Sequence, residues 1–159
     1  MQNIFVILGT APSWQDDLKA MKAFGKPFHI IAVNRACYNS VEPIIGVVTY
    51  HPEELAEWLA IRAKTYSCAP LYKIAHIQHP MINYVSGHIA PSGTSSLLGA
   101  QAALALGATH VVMAGCDLSS PYYQMYQDGW NSYFPKLEGK VKAMSGWLAK
   151  KLGTPVGWL

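Results

Sequence analysis

Residues 4–13 read Ile4-Phe5-Val6-Ile7-Leu8-Gly9-Thr10-Ala11-Pro12-Ser13. Five β-favouring apolar residues in a row, with no polar interruption, describe a strand buried on both faces, which is the signature of a parallel sheet. The run stops at Gly9, and the Pro12-Ser13 pair that follows is turn and helix-start chemistry. Leu18, Met21 and Phe24 then recur at helical spacing, with Asp16 and Asp17 in the first turns and Gly25 as a stop.

The same alternation continues outward from this unit. His29 to Val33 is a second strand, ending at Asn34, and residues 44–49 are a third, ending in Tyr50-His51-Pro52. Pro52, Glu53 and Glu54 start a helix that reaches about Thr65. Residues 71–77 are a weaker strand, interrupted by Lys73 and His76. Pro91-Ser92-Gly93-Thr94-Ser95-Ser96 opens a helix of small and apolar residues through Leu106, closed by Gly107. His110 to Ala114 is the next strand, followed by Gly115-Cys116-Asp117. Residues 119–134, rich in Tyr, Ser, Gln and Asn, read as a long surface loop. Pro135 is expected to begin a helix over 135–152 with Leu137, Val141, Met144, Leu148 and Leu152 on one stripe, and 156–159 to add a short edge strand.

Strands alternating with helices predict a Rossmann-like, doubly wound α/β fold: a mostly parallel sheet with helices on both faces. A length of 159 residues with 51% hydrophobic and 13% charged composition fits one domain, 1–159, and excludes a disordered chain. An average domain carries about a quarter charged residues, so much of this surface must be neutral hydroxyl, amide, Tyr and Trp. The net charge of +3 gives no nucleic-acid footprint, because Lys136, Lys140, Lys142, Lys150 and Lys151 cluster near the C-terminus as a solvated face. Cys37, Cys68 and Cys116 lack C-x-x-C spacing, and buried thiols in a reducing compartment are expected. The N-terminal run has no basic flank and ends at Gly9, so it reads as neither secretion signal nor membrane span, and a cytoplasmic location is expected.

In doubly wound sheets ligands bind beyond the carboxyl ends of the strands, so the polar residues there are the candidates. The Gly9–Ser13 loop lacks G-x-G-x-x-G. It offers backbone N–H groups and the Thr10 and Ser13 hydroxyls to a phosphate, or else Pro12 and Ser13 simply start the helix. Asn34 has an amide able to read a base or ribose edge, or is a turn residue. Ser92, Gly93, Thr94, Ser95 and Ser96 converge hydroxyls and free N–H groups at a helix N-terminus, without the Lys of a P-loop. A helix cap with small residues for close packing is the ordinary reading of that cluster. Asp117 can hold a metal, a sugar hydroxyl or a protonated base, or cap the next turn. The histidines, His51, His76, His79 and His88 among them, have no metalloenzyme spacing, and no metal ligand set is assigned.

The order G-x-x-P-S (Gly9, Pro12, Ser13), Asn34, Tyr50-His51-Pro52, Ser92-Gly93-Thr94, Ala105-Leu106-Gly107 and Gly115-Cys116-Asp117 resembles the family 42 bacterial sialyltransferases. It also resembles the related motility accessory factors and 6-hydroxymethylpterin diphosphokinase-like proteins, over roughly residues 1–120. The resemblance implies a CMP-sugar across the carboxyl edge of the sheet. Gly9, Thr10 and Ser13 would then line phosphate and ribose, Asn34 the cytidine–phosphate region, Ser92, Gly93 and Thr94 the donor, and Asp117 the nucleotide. Downstream tyrosines, Tyr122, Tyr123 or Tyr126 by position, would stabilise the departing phosphate. The family's general base is a later His, whereas no His follows His110 here, and His51 stands where the family has Asn.

The expectation is therefore a CMP-sugar-binding, glycosyltransferase-like protein. Either His51 acts as base or the chain binds without transferring sugar. No cofactor is required on that reading. A Mg²⁺-dependent pyrophosphokinase, with Asp117 as ligand, is one alternative. The other is a non-catalytic assembly module contacting partners, including a second copy, through the Tyr122 to Trp130 stretch.

Overall fold

Every side chain of Ile4–Leu8 is buried, as a strand apolar on both faces requires. This strand, β1, lies inside a seven-stranded sheet in the computed structural model, which describes residues 1–40, 42–86 and 94–159. The other strands are β2 His29–Val33, β3 Gly46–Val48, β4 Tyr72–Ala75, β5 Tyr84–Val85, β6 His110–Ala114 and β7 Val141–Ala143. All neighbouring pairs are parallel, in the order β5-β4-β3-β2-β1-β6-β7. Thus the fold is the expected Rossmann-like parallel α/β type.

The two-residue alternation of β1 sends its side chains to two separate cores. Ile4, Val6 and Leu8 pack with α1 (Trp14–Ala23), α2 (Ala36–Asn39) and α3 (Leu55–Ala63), through Leu18, Met21, Cys37, Leu55 and Trp58. Phe5 and Ile7 pack with α4 (Ser95–Ala105), α5 (Gln124–Leu137) and α6 (Gly146–Leu152), through Leu97, Leu98, Trp130, Leu137 and Leu148. Each such buried side chain contributes about 1.5–3 kcal/mol. The exposed ion pairs Lys22–Glu42 and Arg35–Glu54 contribute about 0–1 kcal/mol each, so the two cores decide stability.

The amino-terminal half of α4 is held close to the sheet by its small residues. A Cβ on Gly99 would lie 3.0 Å from the Ile7 side chain and 3.1 Å from that of Val48. Its N-terminal residue Ser95 also reaches the sheet edge, accepting a hydrogen bond from the Tyr50 backbone N–H at 3.1 Å.

The C-terminal third departs from the expected outline. Residues 119–134 are not a loop: Pro121–Tyr123 form a 3-10 turn that leads into α5. The helical period was hidden because only Gly129, Trp130 and Leu137 of α5 are buried, and amphipathic aromatics occupy its other faces. Pro135 does not begin a helix; it sits in the last turn of α5, where little helix remains for it to break. The single helix over 135–152 is instead the end of α5, then β7, then α6. Val141 and Ala143 face the core at strand period, while Leu148 and Leu152 recur at helix period, and joined end to end they mimic one stripe. Residues 156–159 form no strand: Trp158 and Leu159 turn back to the Pro155 carbonyl, and the Trp158 ring packs 4.4 Å from His110. Strand β5 was not anticipated, since two residues leave no readable period.

Candidate functional site

Strand β1 is followed along the chain by β2 on one side and bordered by β6 on the other, so the carboxyl ends of β1 and β6 form the topological switch point. A cleft of about 120 Å³ opens there. Its walls are Gly9, Thr10 and Ala11 after β1, Asn34 after β2, Gly115 to Leu118 after β6, Thr94 to Ser96 at the head of α4, and Tyr123. Among the described residues no Lys or Arg lines it, and Asp117 is its one acidic residue.

The floor exists because two loops touch without side chains between them. The Gly9 N–H donates to the Ala114 carbonyl and the Ala11 N–H to the Gly115 carbonyl, both at 2.9 Å. Gly115 adopts φ +61, a left-handed conformation natural to glycine. Its N–H donates at 2.8 Å to the Asp17 carboxylate, which is buried and also accepts from Ser13 Oγ (3.1 Å) and Ser145 Oγ (2.8 Å). Asp17 thereby ties α1 to the loops after β6 and β7.

Asn34 holds φ +52, uncommon outside glycine, and its buried Oδ1 has no hydrogen-bond partner among the described residues. Thr94 caps α4: its Oγ1 accepts from the Leu97 N–H at 3.2 Å and from Trp130 Nε1 at 3.0 Å, and pairs with Ser96 Oγ at 2.7 Å. The cap leaves the Ser95 and Ser96 amides, which an α-helix provides with no internal acceptor, at the positive end of the helix. Asp117 lines the cleft, and its Oδ1 accepts from the Ser119 N–H at 3.0 Å, which is the turn-capping role. Its carbonyl also accepts from the Trp147 N–H of α6 at 2.9 Å.

Of the residues singled out from sequence, Gly9, Thr10, Asn34, Thr94, Asp117 and Tyr123 therefore meet at one cleft. Ser13 does not: its hydroxyl donates to Asp17 and accepts from Ser145. Tyr122 also lies outside the lining, largely exposed and edge-on to Tyr123 with ring centres 5.2 Å apart. Ser92 and Gly93 lie outside the described residues. Trp130 is buried, which removes it from any exposed Tyr/Trp surface; Tyr122, Tyr123 and Met125 remain exposed there. Sequence reasoning missed Asp17, Ser145 and Trp130 as supports of the site. Asp17 looked like ordinary helix-dipole chemistry, and nothing local marks Ser145.

His51 occupies an adjoining cavity of about 270 Å³ whose wall includes Thr10, Asn34 and Glu54. The histidine is exposed, with Nδ1 3.3 Å from Glu53 Oε1. A hydrogen bond to its own backbone is the main influence holding the Glu53 carboxyl below its ordinary value. A carboxylate only accepts, so Nδ1 is the donor in this contact, and in the neutral ring Nε2 then carries the lone pair. Ligand atoms of His51, Glu53 and Glu54 all lie within 4.8 Å of one another, a donor set suited to a divalent cation.

Cys116, on the cleft wall, is no nucleophile. Burial pushes its thiol up to about 12, and that of Cys37 to about 11, from an ordinary 9.0. The folded chain keeps these protons after the unfolded chain has lost them. Stability linked to them is full below pH 9, falls above it by roughly 1 kcal/mol per pH unit for each thiol, and is lost by about 11 for Cys37 and about 12 for Cys116. Cys68, expected to be buried with the others, is exposed in the segment between α3 and β4, where little apolar surface packs over it. A colorimetric thiol reagent at neutral pH is expected to label Cys68 alone in the native protein and all three cysteines after denaturation. Fast native labelling of Cys116 would contradict its burial.

No protein-family model matches the chain, and no curated protein matches it. Among solved structures it is similar to the sialyltransferase CstII from Campylobacter jejuni, determined in complex with a substrate analogue, cytidine-5'-monophosphate. The two share 12% identity at a TM-score of 0.64, over 96% of this chain and 85% of that chain. No helix among the described residues is long and apolar enough to cross a membrane. The shared feature is the architecture: the chain has a sialyltransferase-like α/β fold.

Proposed function

We propose that the switch-point cleft binds the phosphate and sugar of a nucleotide or nucleotide-sugar, of CMP type, and that the chain is glycosyltransferase-like. The observation that carries this reading is Asn34, whose backbone is held left-handed and whose buried Oδ1, at the cleft wall, has no partner among the described residues. An orphaned acceptor of that kind costs about 1–3 kcal/mol, which a ligand hydroxyl or amine would offset. In the same lining, the Ser95 and Ser96 amides and the Thr10 backbone offer neutral donors to a phosphate, in place of the Lys and Arg that its described residues lack. The solved neighbour was captured with cytidine-5'-monophosphate, which agrees in ligand class.

In a transfer reaction, the Glu53-oriented His51 would take the acceptor proton at Nε2. Tyr123, on the cleft wall, would donate toward the departing phosphate. One observation favours a Mg²⁺-dependent pyrophosphoryl-transfer reading instead: the His51, Glu53 and Glu54 donor set beside Thr10 and Asn34. Oxygen donors from two carboxylates suit a hard cation, although the imidazole suits softer ones better.

A thermal-shift series with CMP, CDP, CTP, CMP-sialic acid, ATP and GTP, with and without Mg²⁺, tests both. A nucleotide at a hundredfold its dissociation constant adds about 2.7 kcal/mol, or about 5 to 10 °C at this chain length. Asn34→Ala is expected to weaken that binding about tenfold, and Lys150→Ala, on exposed α6 surface, to leave it unchanged. A response only in Mg²⁺ selects pyrophosphoryl transfer. Silence from every nucleotide rejects both enzyme readings and leaves the binding module.

A further inference from the structure

At the other edge of the sheet, the last turn of α3 buries a full positive charge. Arg62 is 3% exposed. Its Nη1 donates to the Cys37 carbonyl at 2.7 Å and its Nη2 reaches the Glu42 carbonyl at 3.5 Å. Its Nε is buried with no acceptor among the described residues, and the Tyr66 ring lies 4.5 Å from the guanidinium carbon. Among the described residues no carboxylate pairs with it: the ion pairs found are Lys22–Glu42, Arg35–Glu54 and His51–Glu53.

A guanidinium does not deprotonate in a protein, so burial cannot be relieved by losing the charge. Two carbonyls, a π face and the negative end of α3 offset part of the cost. Among the described residues the Nε nitrogen has no acceptor and no carboxylate balances the charge, which is costly in buried surroundings. Arg62 also forms part of the wall of a cavity of about 90 Å³, shared with Tyr66, Ser67, Cys68 and Pro70. That is room for several water molecules, and hence for a tetrahedral oxyanion. None of these residues lines the nucleotide cleft.

We propose that this cavity binds a small oxyanion, phosphate or sulfate or a phosphoryl group on a larger molecule, with Arg62 as its charge partner and Ser67 as a hydroxyl donor. The exposed Cys68 thiol on the same wall reports occupancy directly. At constant ionic strength, millimolar inorganic phosphate or sulfate is expected to slow alkylation of Cys68 severalfold, where chloride does not. Glycerol phosphate tests the second source: equal protection shows that the cavity accepts a phosphoryl group on a larger molecule, and protection by inorganic anions alone restricts it to the free ion.

Arg62→Lys is expected to lose the protection. Should that variant fold poorly, Ser67→Asp, at an exposed position, supplies an internal carboxylate and is expected to abolish the phosphate response while raising the melting temperature. Asn34→Ala is expected to keep full protection, separating this site from the nucleotide cleft. Labelling of wild-type Cys68 that is indifferent to phosphate and sulfate, or protection that survives in Ser67→Asp, would overturn the proposal.

Discussion

Gly9→Ala is expected to destabilise the protein by about 3 kcal/mol, at the upper end of the usual cost of overpacking. A Cβ at this position would lie 2.3 Å from the Gly115 carbonyl oxygen and 2.7 Å from Cys116 Sγ. A flexible side chain could move aside, but the closer of the two atoms is backbone. Gly115 cannot retreat, because the Ala11 N–H holds its carbonyl and Trp14 stands behind it, 2.5 Å from where a Gly115 Cβ would be. The loops after β1 and β6 would have to part, breaking the cleft floor. Urea unfolding measures the loss, and nucleotide binding should fall with it. A loss under about 1 kcal/mol would mean that the two loops separate easily.

Asp17→Ala should be comparably damaging, again about 3 kcal/mol. One carboxylate oxygen accepts from Gly115 N–H, Ser13 Oγ and Ser145 Oγ. The two hydroxyls can rotate toward other partners or water, whereas the buried Gly115 amide has nowhere to turn. Asp17→Asn retains an acceptor and is expected to lose about half as much, while exposed Asp16→Ala stays within about 0.5 kcal/mol of wild type. If Asp17→Ala and Asp16→Ala unfold at the same urea concentration, the buried carboxylate is not the tie described.

The spans of β1, β2 and β6 are readable residue for residue from sequence because strands buried on both faces must be continuously apolar and are bounded by the first polar or glycine residue. The existence of α1 is legible from Leu18, Met21 and its acidic first turn, although the sequence period runs on through Phe24, which is the C-cap. Legibility fails where burial is partial: α5 shows the core one narrow stripe, and β7 is too short to display a period. At the site, the strand-end rule brings Asn34 and Asp117 into view since it depends on topology alone. Ser13 and Asp17 are four residues apart, and nothing in that spacing tells which of them faces a ligand and which braces the loop. That distinction comes from Gly115 and Ser145, distant in sequence and adjacent in space.

The sheet order also carries a consequence for how the chain is made. β1 has β2 on one edge, available early, and β6 on the other, with Ile4 opposite His110 and Leu8 opposite Ala114, about a hundred residues later. On the ribosome, β1 must wait with one edge unpaired while β2 to β5 accumulate on its other side. The most apolar segment of the molecule is then an open template until β6 arrives, and long-range parallel pairing of this kind closes slowly. Nascent chains stalled before residue 110 would thus be the aggregation-prone species, and release from that hazard comes with β6, whose last residue Ala114 and the following Gly115 complete the floor of the cleft.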